Sequence, residues 1–322
     1  MKKNKGQFFL FLLILSLPGC IHRRHVDRQK LHIDMPSTQA ITHTHNAPPI
    51  TIWVHGTLII YTPSYHKIFG KQECMLPVDA FPEGHHFREI AETISHHDPE
   101  HFPLEEFYVF GWSGKLRQQE REKAAAVLHE EIIKLRNAYE QKYGCTPIIR
   151  IIAHSHGGNV ALSMAKLKPL LRHPSTSSGR TDEGQALIKS LILLACPVQE
   201  RTKHLICTPM FNHVYSLYSS FDVVQILAPQ IRRLCTKYEC PHKHHKYHYT
   251  FMPFSNRIFP TYSHLTQTKV KINDLPISHT KFSSTKFVAL LPTILQKLDL
   301  WHEETLANNT ISKHKLLCVY NK

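Results

Sequence analysis

The residues best suited to chemistry lie in "IIRIIAHSHGGNVALSMAK", residues 148–166. The β-branched run from Pro147 to Ala153 predicts a strand, and Asn159 to about Leu171 predicts a helix with Val160, Met164 and Leu167 on one face. Ser155 stands in the turn between them. A serine in such a turn can act as a nucleophile if its hydroxyl projects from the carboxyl end of a sheet strand. Small residues two before and two after it, here Ala153 and Gly157, let strand and helix approach closely. The start of the following helix then offers free N–H groups to a developing oxyanion. A bare [GA]-x-S-x-G would arise by chance in roughly one chain in five of this length. Its weight therefore comes from the strand before it and the helix after it.

A turn of this kind needs a sheet to hold it. In "ITIWVHGT", Ile50, Ile52 and Val54 alternate and the run ends at His55-Gly56-Thr57, which predicts a strand entering a tight turn. Phe107 to Gly114 reads as a buried strand. Arg117 to Tyr143 reads as an amphipathic helix, with Leu128, Ile132, Leu135 and Tyr139 on one face and Gly144 as its stop. Leu187–Cys196 and His213–Ser219 are further apolar strands, and "TKVKIND" is a late short one. Ser284 to Leu298 predicts a closing helix. Strands alternating with helices, several of them continuous apolar runs, predict an α/β fold with a mostly parallel sheet covered on both faces.

With these elements in place the chain resembles the α/β-hydrolase superfamily, in its lipase and esterase branch. "AHSHGG" is similar to the nucleophile turn, "VHGT" to the His-Gly oxyanion turn, and "FGWSG" followed by a long Arg-containing helix to a feature of some lipase-like serine hydrolases. The resemblance covers about residues 48–300. It implies an α/β-hydrolase fold, a serine hydrolase that works through an acyl-enzyme, and oxyanion donors on the backbone of His156 and of Thr57 or Gly56. It also implies the chain order Ser, acid, His. Asp222, where "HVYSLYSSFDVVQ" leaves a strand, is the leading acid, with Glu200 as its rival. Asp222 is also well placed to cap a helix. Asp182 and Glu183 fall in a polar loop. His279 follows the last strand and precedes the closing helix, as the catalytic histidine of the superfamily does, whereas His264 precedes that strand. With 26 histidines in the chain, position rather than presence decides between them. His154 and His156 read as scaffold for the turn.

The rest of the chain bounds the setting. It has 322 residues, 42% of them apolar, and a formal charge of +14, which suits an anionic membrane surface or nucleic acid, or is simply a solvated basic surface. No nucleic-acid module or phosphate loop is present in the sequence, and no nucleic-acid partner or cofactor is expected. Lys2, Lys3 and Lys5 followed by the apolar run Phe8–Leu17 resemble a signal peptide, and "LPGC" resembles a bacterial lipoprotein signal that would lipidate Cys20. This predicts a signal over residues 1–19, a flexible tether over 20–47, a hydrolase domain over 48–300 and a tail over 301–322. A lid-like insertion is expected at about 223–265, where Phe251, Phe254, Phe259 and Tyr262 are either an apolar pocket lining or ordinary core. The expected location is the bacterial envelope, anchored by lipid. In a Gram-negative cell, Ile21 after the lipidated Cys would point to the outer rather than the inner membrane. Cys235 and Cys240 are the nearest disulfide pair among an odd number of mature body cysteines. Together with His242, His244, His245 and His248 they lack a known zinc spacing, so no metal is expected. The rival to an ester or lipid hydrolase is a non-catalytic lipoprotein that keeps the fold for binding.

Overall fold

The computed structural model describes residues 30–33, 48–57, 69, 73–167, 186–228, 230–234, 248–252, 255–307 and 315–319. The strands are β1 (Lys30–Ile33), β2 (Ile50–Val54), β3 (Cys74–Pro77), β4 (Phe107–Gly111), β5 (Ile149–His154), β6 (Ile188–Leu194), β7 (Phe211–Tyr218), β8 (Gln230–Leu234), β9 (His248–Met252), β10 (Leu265–Ile272), β11 (Leu275–Pro276) and β12 (Lys315–Val319). The helices are α1 (His86–His97), α2 (Gln118–Tyr143), α3 (His156–Ser163), α4 (Val223–Leu227), α5 (Thr285–Val288) and α6 (Leu291–Ala307). One large sheet runs in the order β1-β12-β10-β7-β6-β5-β2-β4-β3, with β11 folded back on β10, and β8 pairs separately with β9. Within the large sheet only the β3–β4 and β10–β11 pairs are antiparallel. The protein is thus α/β with a mostly parallel sheet.

The central strands are apolar on both faces because both faces are covered. Successive side chains of a strand point to opposite sides. Ile52, Ile151 and Leu193 pack on α2 and α3 with Leu128, Ile132 and Val160. Their neighbours Trp53, Ile152 and Leu194 pack on the other face, with Ile90 and Ile94 of α1 and Leu291, Ile294 and Leu298 of α6. A change of one residue in register would exchange the two sets, so burial on both faces still fixes which helices each strand meets.

Topology decides where a site belongs. From β2 the chain moves outward to β4, then crosses back to place β5 on the other side of β2. The crevice beyond the carboxyl ends of β2 and β5 is therefore a topological switch point, where open α/β sheets bind ligands. The turn His55–Thr57 and Ser155 both emerge there.

Several boundaries differ from expectation for identifiable reasons. The helix after Ser155 begins at His156 rather than Asn159, because Gly157 and Gly158 serve close packing within a helix rather than a loop. It passes into a 3-10 turn over Met164–Lys166. The expected tether and tail each supply a strand: β1 lies parallel to β12, and β12 parallel to β10. Leu316, Leu317, Cys318 and Val319 are buried, which makes "LLCV" a short buried parallel strand inside what composition presents as a polar tail. Helix α6 likewise continues to Ala307, past the expected domain end. The region expected as a lid contains α4, β8 and β9. Phe259 within it is buried core, while Phe254 lies outside the described residues, as do the signal segment, Cys20, Asp182, Glu183, Cys235 and Cys240. Cys74, Cys145, Cys196, Cys207 and Cys318 are free thiols.

Candidate active site

Ser155 sits between β5 and α3 with φ 53° and ψ −129°, a left-handed backbone that costs a non-glycine residue about 1–3 kcal/mol. The strain is held from both sides. Ser155 N–H donates to the Leu194 carbonyl at 2.8 Å, and Gly158 N–H turns back to the Ser155 carbonyl at 3.0 Å. The end of β2 presses on the same turn. A Cβ on Gly56 would stand 2.8 Å from Ser155 Cβ, and one on Gly157 would stand 2.5 Å from the carbonyl oxygens of both Val54 and His55. Gly157 is therefore required by a backbone that cannot retreat. Gly157→Ala is expected to cost on the order of 1–3 kcal/mol and to shift Ser155, read as a lower melting temperature in circular dichroism together with lost reactivity at Ser155.

The Ser155 hydroxyl donates to His279 Nε2 at 2.8 Å. His279 Nδ1–H donates to Asp222 Oδ2 at 2.7 Å. Asp222 is fully buried and uses its other oxygen to accept the Gln225 N–H at 2.9 Å, which caps α4. The two sequence-level readings of Asp222, helix cap and imidazole partner, are thus one arrangement: capping fixes the carboxylate that orients His279. The α4 turn is anchored in turn by Gln225 Nε2–H to the Cys196 carbonyl at 2.6 Å and by Arg257 Nε–H to the Asp222 carbonyl at 3.1 Å. Ser155, His279 and Asp222, brought from the ends of β5, β10 and β7, form one continuous chain of hydrogen bonds.

The rivals lie elsewhere. Glu200 is exposed and pairs with Lys203 at 2.8 Å. His264 precedes β10, at the opposite edge of the sheet from Ser155, where its Nε2–H donates to the Ile206 carbonyl at 2.6 Å. Among the described residues no group of three or more His, Cys, Asp or Glu side chains could hold a metal ion.

Three more histidines surround the serine turn, and burial keeps each of them neutral. His154 donates from Nε2 to the His279 carbonyl at 3.2 Å, and its ring centroid lies 5.0 Å from that of His279. Burial, then the nearby His279, lowers its pKa to about 3. His55 donates from Nδ1 to the Gly56 carbonyl at 2.7 Å and accepts the Trp112 N–H on Nε2 at 3.1 Å, which fixes its tautomer. Its ring stacks between Phe87 and Trp112, and burial lowers its pKa to about 4. His156, just after Ser155, accepts from Arg121 Nη1 at 3.3 Å and is pushed well below the usual imidazole range by burial and by that guanidinium. Arg121 of α2 also donates to Gln118 at 2.8 Å and to Gln199 at 2.9 Å, tying the serine turn to the loop after β6.

These histidines carry a pH consequence. Their folded pKa values lie below the ordinary 6.5, so the unfolded chain takes up protons first. Stability is then full above about pH 6.5 and falls as pH drops toward 4 and 3. Each such histidine removes up to about 1.4 kcal/mol per pH unit inside its window. Melting temperatures between pH 7 and 4 are expected to fall steeply below pH 6.5, and His55→Gln is expected to flatten that fall.

Sequence reasoning did not anticipate the side-chain partners Arg121, Gln199, Trp112 and Phe87. The Arg-containing helix after "FGWSG" was visible, but not that Arg121 would reach His156. No family model matches this chain, and no curated protein matches its sequence.

Proposed function

We propose that the protein is a serine hydrolase of α/β-hydrolase type that cleaves carboxylic esters. The observation that carries this reading is the unbroken Ser155–His279–Asp222 hydrogen-bond chain at the switch point of the sheet. In this reading His279 Nε2 takes the Ser155 proton as Oγ bonds to the ester carbon. The carbonyl electron pair moves onto oxygen, where backbone N–H groups of His156 and Thr57 receive it. As that pair returns, the C–O bond to the alcohol breaks and His279 gives its proton to the leaving oxygen. Water then attacks the acyl-enzyme by the same exchange and releases the acid with Ser155 restored. Asp222 keeps the Nδ1–H tautomer and stabilises the transient imidazolium.

Lipid or acyl esters are the favoured substrates. Five of the large apolar side chains that stay exposed, Leu116, Phe221, Val223, Val224 and Leu275, fall on segments that follow the carboxyl ends of β4, β7 and β10, the edge that carries Ser155. Phe221 and Val223 directly flank Asp222, and Phe221 is 65% exposed. Exposed apolar side chains at that edge suit an apolar acyl chain. The signal-like N-terminus, Cys20 and the net positive charge support a lipid-anchored protein of the bacterial envelope acting beside its membrane.

Aryl esters of graded chain length test this reading. Turnover that rises from acetate to medium and long acyl chains is expected. Turnover of acetate alone would contradict the lipid class, and no turnover by the folded protein would contradict hydrolysis.

A further inference from the structure

Arg121, near the start of α2, is only 3% exposed. A charged side chain is almost never buried so far without a partner of opposite charge. Among the described residues, none of the groups that bind this guanidinium is a carboxylate. Nη1 donates to the Leu116 carbonyl at 2.9 Å and to His156 Nδ1 at 3.3 Å. Nη2 donates to Gln118 Oε1 at 2.8 Å and to Gln199 Oε1 at 2.9 Å. Nε–H is buried with no partner among the described residues. The adjacent Glu122 pairs instead with Lys166 at 2.6 Å. Burial lowers the pKa of Arg121 to about 10, which still leaves it charged at neutral pH. The titratable groups around it are His156, Cys196, Glu122 and Arg201. Burial keeps the His156 imidazole and the Cys196 thiol neutral, so neither cancels the charge. An apolar side chain would fill the same space without burying a cation.

We propose that Arg121 is a positioning residue for the reaction at Ser155: it locks the His156 side chain, and with it the backbone N–H beside the nucleophile, and it holds an unneutralised positive charge next to that N–H. This rests on the hydrolase reading. His156 is held at both ends. Its backbone opens α3 directly after Ser155, and its Nδ1 is taken by Arg121, with Asn159 Nδ2 3.5 Å away. Asn159 Nδ2 also donates to the Pro197 carbonyl at 3.0 Å, so the clamp reaches the same loop after β6 that Gln199 occupies. When Oγ bonds to the ester carbon, the carbonyl electron pair moves onto oxygen and negative charge appears at the His156 N–H. Arg121 keeps its protons and touches no substrate. Its field crosses a buried path that water screens little, and it needs no reorganisation as charge develops. The same field opposes protonation of His279, which Asp222 and His154 also face. Removing the charge therefore raises the pH at which His279 protonates.

Arg121→Met removes the charge and keeps much of the side chain's length, whereas Arg121→Lys keeps the charge. With the full chain and a p-nitrophenyl ester, Arg121→Met is expected to lose about 10-fold in kcat with KM nearly unchanged. The acid limb of its kcat/KM profile is expected to move to higher pH. Arg121→Lys is expected to keep the wild-type acid limb and most of the wild-type kcat. A merely structural role would leave the acid limb in place in both variants. Wild-type kcat or an unmoved acid limb in Arg121→Met would overturn the inference, as would an equal loss of kcat in Arg121→Lys. If methionine prevents folding, Arg121→Gln, neutral but still a hydrogen-bond donor, takes its place with the same expected and contrary outcomes. In an active wild type these outcomes bear on Arg121 alone. A folded wild type that neither hydrolyses the ester nor reacts with a fluorophosphonate overturns the hydrolase reading, and this inference with it.

Discussion

Ser155→Ala is expected to lower kcat by roughly 10⁶, the scale on which removal of a nucleophile abolishes serine hydrolysis. Alanine keeps the size of the site and leaves His279 and Asp222 paired, so the loss would report the hydroxyl alone. The same position permits a second reading in stability. The backbone of Ser155, at φ 53°, is strained for any residue with a Cβ. Ser155→Gly is therefore expected to be as inactive as Ser155→Ala yet to melt higher, by an amount set by relief of about 1–3 kcal/mol of strain. Chemical denaturation of the two variants side by side would measure it. A glycine variant no more stable than the alanine variant would mean that the serine turn stores no strain.

Asp222→Asn is expected to lower kcat by about 10⁴ while the fold stays intact. The amide oxygen can still accept the Gln225 N–H and cap α4, but its NH₂ now faces His279 Nδ1. That forces the proton onto Nε2, the nitrogen that must accept from Ser155. Asp222→Ala removes both roles, and is expected to lose a similar amount of activity and about 1 kcal/mol of stability from the lost cap. The contrast between the two variants separates orienting the imidazole from holding the helix. If asparagine kept wild-type activity, Asp222 would be a cap and nothing more.

What the sequence made legible was local. A strand, a small residue, Ser155, Gly157 and a helix stand within one short stretch, and each part constrains the next. Asp222 and His279 were legible for a related reason: each follows a recognisable strand, and in a parallel sheet the carboxyl ends share one edge. That reasoning separates His279 from His264, which enters β10 at the other edge. The close neighbours of the site were not legible. Arg121 and His156 are 35 residues apart, Trp112 and His55 57 apart, and His154 and the His279 carbonyl 125 apart. No propensity or period encodes such pairs, and a chain with 26 histidines gives no single one of them distinction. Strands β1 and β12 escaped for the opposite reason: four- and five-residue segments in polar surroundings are outweighed by composition.

In the proposed reaction Ser155 is a nucleophile activated by His279. Its most direct test is intact-protein mass measurement after exposure to a fluorophosphonate, which transfers its phosphonyl group to an activated serine with loss of fluoride. One adduct per chain is expected, mapped to the peptide containing Ser155, strongly slowed in His279→Ala and absent in Ser155→Ala. A folded wild-type protein that takes up no adduct, or an adduct that persists in Ser155→Ala, would contradict it.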